Sequence, residues 1–139
     1  MGSRRGRFLM SPHTISSSLL RTPDEIHKLC TSHHTLIYDC SAQLIPDPKT
    51  TYRHGSGEHD WKQKRLPNAA YIDIQRDLSD ANSPYRYTRP NTRDLVRRFE
   101  ALGIYDDAEV VLYSTHSPQW ATRVWWLLNT VGFTRVSVL

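Results

Sequence analysis

Cysteine is scarce in this chain of 139 residues, which contains only Cys30 and Cys40. Two cysteines are too few for a disulfide framework, and their spacing does not match the paired ligands of a metal site. The chain also has no apolar run near the ~18 residues that a membrane helix requires. A chain of this length can bury a core of its own, so we expect one soluble domain with reduced thiols in an intracellular protein.

Acidic residues are absent before Asp24, whereas four arginines precede it, at positions 4, 5, 7 and 21. Residues 1–17 are also rich in serine, a composition typical of a mitochondrial targeting segment or of a disordered tail. The formal net charge is +4, but the N-terminal arginines account for it and the rest is close to neutral, which argues against a nucleic-acid partner. We therefore predict a tail or targeting segment over 1–17, one domain over 18–139, and a cytoplasmic or mitochondrial location.

Short apolar strands and amphipathic helices alternate along the domain. The pattern predicts strands at 35–40, 69–74, 109–113 and 135–139, and helices at 23–30, 59–64, 92–102 and 118–131. Prolines and glycines between 41 and 58 predict a loop. The polar stretch 75–90 has neither helical nor strand periodicity, so it predicts an irregular excursion of the chain away from the sheet. Strands separated by helices imply right-handed crossovers, so we predict an α/β fold with a mostly parallel central sheet and helices on both faces.

Capping signals mark several helix ends. Thr22 and Glu25 have the spacing of a capping box around the first helix. Asn91 and Ser117 are predicted to cap two later helices, and Gly103 is predicted to end the first of those two.

The turn after the strand at 109–113 has no thiol. It reads Ser114-Thr115-His116-Ser117 and leads directly into a helix. In such sheets the ligand lies beyond the carboxyl ends of the strands, where turn amides and a helix N-terminus can hold an anion. A serine hydroxyl lacks the acidity and the soft sulfur of a thiolate, and no acidic residue adjoins His116 to build a hydrolytic triad. The turn therefore has the position of an active site without its nucleophile.

Other polar groups have simpler interpretations. His54, Glu58 and His59 offer metal-binding atoms, but we interpret their Gly-rich segment as a surface loop rather than a metal site. Ser117 and Arg123 have the spacing of a phosphatase Cys-x5-Arg loop. Because the thiol of that loop is absent here, we interpret the spacing as a coincidence. We expect neither a metal nor another cofactor.

Several segments carry a family resemblance. They are LIYDCS at 36–41, DW at 60–61, RLPNAAYIDI at 65–74, SPY at 83–85, ALGI at 101–104, RVWW at 123–126 and VSVL at 136–139. In this order and spacing, over about residues 18–139, they resemble the N-terminal domain of tandem-domain rhodaneses, the thiosulfate or 3-mercaptopyruvate sulfurtransferases.

This resemblance implies a rhodanese-like domain whose partner is a second rhodanese domain later in the parent chain. The second domain of such proteins holds a cysteine that takes sulfane sulfur from a small anionic donor, as a persulfide, and passes it to a thiophilic acceptor. The first domain is usually inert. Ser114 occupies the position of the family nucleophile, and the residues that the resemblance places along the cleft are Ser114, Thr115, His116, Ser117 and Arg65.

The chain departs from the family pattern at positions that could offer acid–base groups. Arg65 stands where a histidine is usual, and Asn68 replaces a glycine. Mercaptopyruvate-type members carry a histidine at the position of Tyr87 and an acid at the position of Gln75.

The family pattern also continues beyond the VSVL segment, with a closing helix, a linker and the second domain. An end at Leu139 leaves the last strand without that helix, which would expose one face of the sheet. We therefore expect a C-terminally truncated, incomplete domain that is inactive alone. The alternative is a stand-alone rhodanese-like module without chemistry, used for binding or regulation.

Overall fold

The computed structural model describes residues 19–139, and the tail or targeting segment predicted for 1–17 lies outside them. Each predicted strand and helix is present, and β2, β3 and α3 are additional. In chain order the elements are α1 (Pro23–Leu29), β1 (Thr35–Asp39), β2 (Ala42–Asp47), β3 (Thr51–Ser56), α2 (Glu58–Gln63), β4 (Ala70–Tyr71), α3 (Ile74–Asp77), α4 (Thr92–Ala101), β5 (Glu109–Tyr113), α5 (Pro118–Thr130) and β6 (Val136–Val138).

The central sheet has four parallel strands in the order β4-β1-β5-β6. Strands β1 and β5 pair over their full length, from Thr35 beside Glu109 to Asp39 beside Tyr113. Because the strands run in the same direction, their carboxyl ends meet at one edge of the sheet. The predicted mostly parallel sheet is confirmed.

Helices cover both faces of this sheet, as predicted. On one face, Phe99 of α4 and Leu127 of α5 belong to the larger core cluster. On the other face, Ile26 of α1 packs with Ile37 and Val111 of the central strands. Successive side chains of a strand point to opposite faces, so two buried faces explain the continuous apolar runs of β1 and β5.

The loop predicted for 41–58 is wrong over most of its length. Strands β2 and β3 form an antiparallel hairpin, paired from Ala42 beside Ser56 to Asp47 beside Thr51. Pro46 fits because each strand of a two-stranded ribbon has one unpaired edge, where the missing N–H breaks no ladder. The hairpin extends directly from the carboxyl end of β1 and so places its residues near the turns at that edge.

The predicted strand at 69–74 is shorter than expected. Strand β4 contains only Ala70 and Tyr71. Asp73 then accepts a hydrogen bond from the backbone N–H of Arg76, which caps α3 and ends the extended chain. The excursion predicted for 75–90 therefore begins with the last three residues of a helical turn.

An exposed face on the last strand is also not observed. All three residues of β6 are buried. Val136 and Val138 join the larger core cluster, while the guanidinium of Arg21 donates to the hydroxyl of Ser137 on the opposite face. Residues 19–21 run beside β6, because Leu20 forms a parallel bridge with Val138. The segment thus pairs along the edge of β6, while the side chain of Arg21 lies over Ser137 on one of its faces.

The capping predictions have different outcomes. The capping box of Thr22 and Glu25 is present, and Asn91 accepts a hydrogen bond from the backbone N–H of Asp94. Ser117 occupies the N-cap position of α5, but its side chain makes no capping hydrogen bond. The prediction that Ser117 caps this helix with its hydroxyl is therefore wrong.

Candidate functional site

The turns after β1 and β5 are joined at the carboxyl edge of the sheet. The backbone N–H of Thr115 donates to the hydroxyl of Ser41 at 2.9 Å. The hydroxyls of the same two residues lie 3.1 Å apart. Ser41 is buried and anchored, because its own backbone N–H donates to the Asp39 carboxylate at 2.8 Å. In a turn that binds a sulfur or phosphate group, such a backbone N–H would point at the ligand. Here the N–H of Thr115 is already bonded to the Ser41 hydroxyl.

The hydroxyl of Ser114 is also engaged inside the turn. It donates to the backbone carbonyl of Ser117, and the Ser114 residue is half-buried. To act as a nucleophile, Ser114 would have to give its proton to a general base. The group that accepts this proton in a hydrogen bond is a backbone carbonyl, which is not basic enough to take it. The turn is therefore a closed structural loop at the position where the sequence analysis placed a missing nucleophile.

His116 has a carboxylate nearby that its sequence neighbours do not supply. One ring nitrogen, Nδ1, lies 2.9 Å from the Thr115 hydroxyl. The other, Nε2, lies 3.1 Å from the side-chain nitrogen of Gln43 and 3.7 Å from a carboxylate oxygen of Asp60. The hairpin brings Gln43, and α2 brings Asp60, to an imidazole that is half exposed. This arrangement orients the ring of His116 but leaves it without a thiol or a free hydroxyl to activate.

Arg65 lies apart from that turn in its contacts. Its guanidinium stacks on the ring of Trp61 at 4.6 Å and donates to the backbone carbonyl of the same residue. The next residue, Leu66, donates its backbone N–H to the phenol oxygen of Tyr113 at the end of β5. The structure thus brings Ser114, Thr115, His116 and Ser117 together, while the side chain of Arg65 packs back on α2, which ends two residues before it.

Neither cysteine can replace the missing nucleophile. Cys40 is fully buried, and burial, reinforced by the charge of Asp39, raises the pKa of its thiol well above the ordinary value. A neutral thiol is a poor nucleophile. Cys30 follows α1 and lines a cavity of about 380 Å³ with Thr35, at the amino ends of the strands and opposite the turn. The carboxyl edge of the sheet therefore carries no reactive thiol within residues 19–139.

A second polar group centres on His54, which the sequence analysis assigned to a surface loop. Strand β3 brings its ring to Tyr87 and Asp73, so that Nδ1 lies 2.8 Å from the Tyr87 phenol oxygen and Nε2 lies 3.2 Å from an Asp73 carboxylate oxygen. The three residues are 14 to 33 positions apart in the chain, and only the unpredicted hairpin brings them together. Within the described range, no three histidine, cysteine or acidic side chains are placed to hold a metal ion.

One family departure has a structural explanation. Asn68 has a φ of 61°. This left-handed conformation favours glycine and, among other residues, asparagine, so Asn68 is compatible with the turn that precedes β4. Its side chain also donates to the backbone carbonyl of Cys30 at 3.3 Å.

Two curated relatives match the chain over part of their length. The "Probable 3-mercaptopyruvate sulfurtransferase" of Pseudomonas aeruginosa is 29% identical over 121 residues, which are 85% of this chain and 40% of that protein. The 3-mercaptopyruvate sulfurtransferase of Escherichia coli K12 is 32% identical over 74 residues, which are 53% of this chain and 26% of that protein. No family model matches the sequence. The chain thus spans well under half the length of these relatives.

Solved structures give the same picture. The Tum1 protein of Saccharomyces cerevisiae has a TM-score of 0.67 at 26% identity over 86% of this chain and 38% of that chain. SseA of Escherichia coli, a 3-mercaptopyruvate sulfotransferase described as having the rhodanese fold, has a TM-score of 0.74 at 22% identity and covers 88% of this chain and 45% of that chain. Among residues 19–139, no helix is both long and apolar enough to span a membrane.

Proposed function

This chain belongs to the rhodanese-like sulfurtransferase family, and from that premise we propose that it is the non-catalytic, N-terminal type of domain in such a protein. In the proposed role it packs against a second rhodanese domain and lines the cleft where sulfur is transferred. The reaction moves sulfane sulfur from thiosulfate or 3-mercaptopyruvate, through a cysteine persulfide of the second domain, to a thiophilic acceptor. This chain alone is proposed to be inert.

The observation that carries the proposal is the closed turn at Ser114. A persulfide forms when a thiolate attacks the donor's outer sulfur and breaks the bond behind it, so that thiosulfate leaves as sulfite and 3-mercaptopyruvate, after protonation, as pyruvate. Turn amides or a helix N-terminus stabilise the anionic thiolate. Here the hydroxyl of Ser114 donates to the carbonyl of Ser117, and the N–H of Thr115 donates to Ser41. At this turn the position of the nucleophile holds a serine whose hydroxyl is bonded, and one backbone N–H that could stabilise an anion is bonded to Ser41.

The exposed part of the same edge supports the second half of the proposal. Thr115 and His116 are exposed, and His116 is oriented by Gln43 and Asp60. Oriented polar side chains at the carboxyl ends of parallel strands are typical of a ligand-facing edge. We propose that Thr115 and His116 form part of the cleft wall, beside the reactive cysteine of the second domain.

Thiocyanate formation tests the inert half of the proposal. The purified chain, given thiosulfate or 3-mercaptopyruvate with cyanide, is expected to form thiocyanate no faster than buffer. The Ser114→Cys variant is expected to remain inactive, because its thiol would still lack the Thr115 amide. The Escherichia coli relative is the positive control. Thiocyanate release by the unmodified chain above the buffer rate would show that the inert assignment is wrong.

A chimera tests the supporting half. This chain replaces the 121 matched residues of the Pseudomonas aeruginosa relative, and the expected result is sulfur transfer to cyanide. A His116→Ala chimera is expected to raise KM more than it lowers kcat, because in the proposed role the ring lines the cleft and takes no part in the chemical step. A folded chimera that keeps its reactive thiol and forms no thiocyanate contradicts the supporting role.

A further inference from the structure

One edge of β1 is left open over its first three residues. Strand β4 pairs only with the last two residues of β1, Tyr38 and Asp39. On the other side, β5 pairs with all of β1, from Thr35 to Asp39. Residues 35–37 therefore have a neighbouring strand on one side only, although they lie in the middle of the sheet.

The hydrogen bonds of β1 show which backbone groups point to the open edge. Backbone groups of successive residues in a strand point alternately to its two neighbours. The N–H of Cys40 donates to the carbonyl of Tyr113 in β5, whereas the carbonyl of Asp39 accepts from the N–H of Ile72, on the side of β4. Even-numbered residues of β1 thus face β5, and odd-numbered residues face β4 and the open edge.

Three polar groups at this edge are unpaired. The backbone carbonyl of Thr35 and the backbone N–H of Ile37 have no hydrogen-bond partner within residues 19–139. The Oγ1 atom of Thr35 is also buried without a partner. A single residue of an added parallel strand satisfies both backbone groups, because its N–H donates to the first and its carbonyl accepts from the second. The edge thus offers the hydrogen-bonding pattern of one missing strand residue.

Asn68 explains why β4 does not fill this edge. Because Ala70 pairs with Tyr38, an extension of β4 by two residues toward its start would place Asn68 beside Leu36. Instead Asn68 has a φ of 61°, which is incompatible with an extended strand, and its side chain donates to the carbonyl of Cys30. The turn therefore directs the chain away from β1 and leaves one strand position empty.

A cavity of about 380 Å³ lies at the open edge, and its lining includes Thr35, Ile37 and Asn68. Ligand pockets range from ~300 to 1,000 Å³, so this cavity suits a few residues of extended chain. Among the described residues that line it there is no lysine, arginine, aspartate or glutamate. An ionised group placed here would lose water without gaining an ion pair, so the lining favours an uncharged ligand.

We propose that the open edge of β1 binds a short, uncharged, extended peptide segment of a partner protein. One residue of that segment occupies the empty strand position, donates its N–H to the carbonyl of Thr35 and accepts from the N–H of Ile37. Addition of a strand to a sheet edge is a general mode of peptide recognition, in which backbone hydrogen bonds provide the affinity. The cavity lies at the amino ends of the strands, opposite the turn at Ser114, so binding here is independent of the sulfurtransferase proposal.

NMR titration of the isotope-labelled full chain with N-acetylvaline N-methylamide tests the proposal. This uncharged probe is one residue flanked by two amides, and N-acetyl-N-methylvaline N-methylamide, which lacks the donating N–H, is the matched control. The Ile37 amide proton is expected to move downfield because it gains a hydrogen bond, while those of Leu36 and Tyr38, which face β5, move little. The control is expected to bind at least fivefold more weakly, as for one lost hydrogen bond.

Three results of this titration would overturn the proposal. The first is equal affinity for the probe and its N-methyl control, and the second is a set of shifts centred away from Ile37. The third is an Ile37 proton that is already downfield in the free chain and does not respond to the probe, because a segment of the chain itself would then fill the edge.

Substitutions in the lining locate the site. Ala70→Trp places a bulky side chain on an exposed residue of the cavity and is expected to weaken probe binding at least tenfold. Tyr52→Trp, on the exposed hairpin, is the matched control and is expected to leave binding unchanged. Both are first checked for folding by circular dichroism. Unchanged affinity in a folded Ala70→Trp variant contradicts the assignment, and if that variant does not fold, the N-methyl comparison on the unmodified chain decides.

Asn68→Gly separates the strand edge from the asparagine side chain. Glycine adopts the left-handed conformation readily, so the turn and the open edge are retained while the amide side chain is removed. The variant is expected to bind the probe at least as tightly as the unmodified chain. A folded Asn68→Gly variant that loses binding would show that the Asn68 side chain, and not the edge of β1, holds the probe.

Discussion

The phenol of Tyr71 donates a hydrogen bond to the backbone carbonyl of Ser41 at 2.7 Å. The same oxygen accepts one from the backbone N–H of Gly57 at 2.8 Å. Tyr71 ends β4, Ser41 follows β1, and Gly57 precedes α2, so one side chain ties three segments together beneath the candidate site. All three residues are buried, and no solvent replaces these bonds when the phenol is removed.

Tyr71→Phe is expected to lower the free energy of unfolding by about 1–3 kcal/mol, because it leaves a buried carbonyl and a buried N–H without partners. Urea denaturation measures the change. Tyr52→Phe, on the exposed face of the hairpin, is the control and is expected to change stability by less than ~0.5 kcal/mol. Similar losses for the two variants would mean that the bonds of Tyr71 do not stabilise the fold.

Gly57→Ala tests the close approach of the same two turns. A Cβ at this position would lie 2.4 Å from the backbone oxygen of Ser41, which cannot move without disturbing the end of β1. We expect a loss of about 1–3 kcal/mol or more in the free energy of unfolding, as for overpacked interiors.

Gly55→Ala is the matched control for that substitution. Its nearest contact would be the terminal methyl of Ile45 at 2.8 Å, and this flexible side chain can rotate away. We expect a loss of under ~1 kcal/mol in thermal or urea unfolding. A control variant as unstable as Gly57→Ala would show that the hairpin, and not the Ser41 carbonyl, limits the space.

Two helix starts that look alike in sequence should respond differently to alanine. Asn91→Ala is expected to cost about 1 kcal/mol, because the amide oxygen of Asn91 accepts the backbone N–H of Asp94. Ser117→Ala is expected to cost less than ~0.5 kcal/mol, since its hydroxyl makes no capping bond. Chemical denaturation measures the free energy of unfolding of both variants. An equal loss of stability would mean that the hydroxyl of Ser117 caps α5 in solution.

Alkaline pH should destabilise the fold through groups that remain protonated inside it. Burial raises the pKa of the Cys40 thiol well above its ordinary value of 9.0, and raises that of Tyr38 to about 12. Below pH 9 the contribution of Cys40 is fully present. Above it, the unfolded chain releases the thiol proton while the folded chain retains it. The free energy of unfolding therefore falls by about 1.4 kcal/mol per pH unit from pH 9.

Cys40→Ala separates the thiol from the tyrosines in this experiment. The variant loses core volume at every pH, but we expect its stability to decline less steeply between pH 9 and 10 than that of the unmodified chain. Above pH 10 both proteins are expected to decline more steeply, as Tyr38 begins to ionise in the unfolded state, and the unmodified chain keeps the steeper slope of the two until the pH reaches the folded-state pKa of Cys40. Parallel curves throughout would show that Cys40 does not contribute to the alkaline transition.

Local sequence patterns predicted most of the central fold. Strand β5 matches the prediction at both ends, because a β-branched run buried on both faces has few alternatives. Helix α4 was predicted from its cap and its apolar spacing, and Gly103 ends it with a φ of 87°. The hairpin was missed because Pro46 and Gly55 read as loop residues, although the free edges of a two-stranded ribbon accept both.

The candidate sites were less predictable than the fold. Ser114 and Thr115 lie where the strand–turn–helix pattern placed them, because a parallel sheet fixes the position of that turn. The partners that define their chemistry come from far away in sequence: Ser41 is 74 positions from Thr115, and Asp60 reaches His116 from another helix. Contacts of this kind depend on tertiary packing, so local periodicity carries no signal for them.

The hydrogen bond from the Thr115 amide to Ser41 has a consequence for how such a domain could change its chemistry. A single substitution that introduces a thiol at position 114 gains nothing, since the amide that should stabilise its anion is already bonded to a buried hydroxyl. A single Ser41→Ala substitution frees the amide but offers it no anion and loses a stabilising bond. Each step alone is neutral or harmful, so in the proposed role a stabilised thiolate at this turn requires both substitutions together.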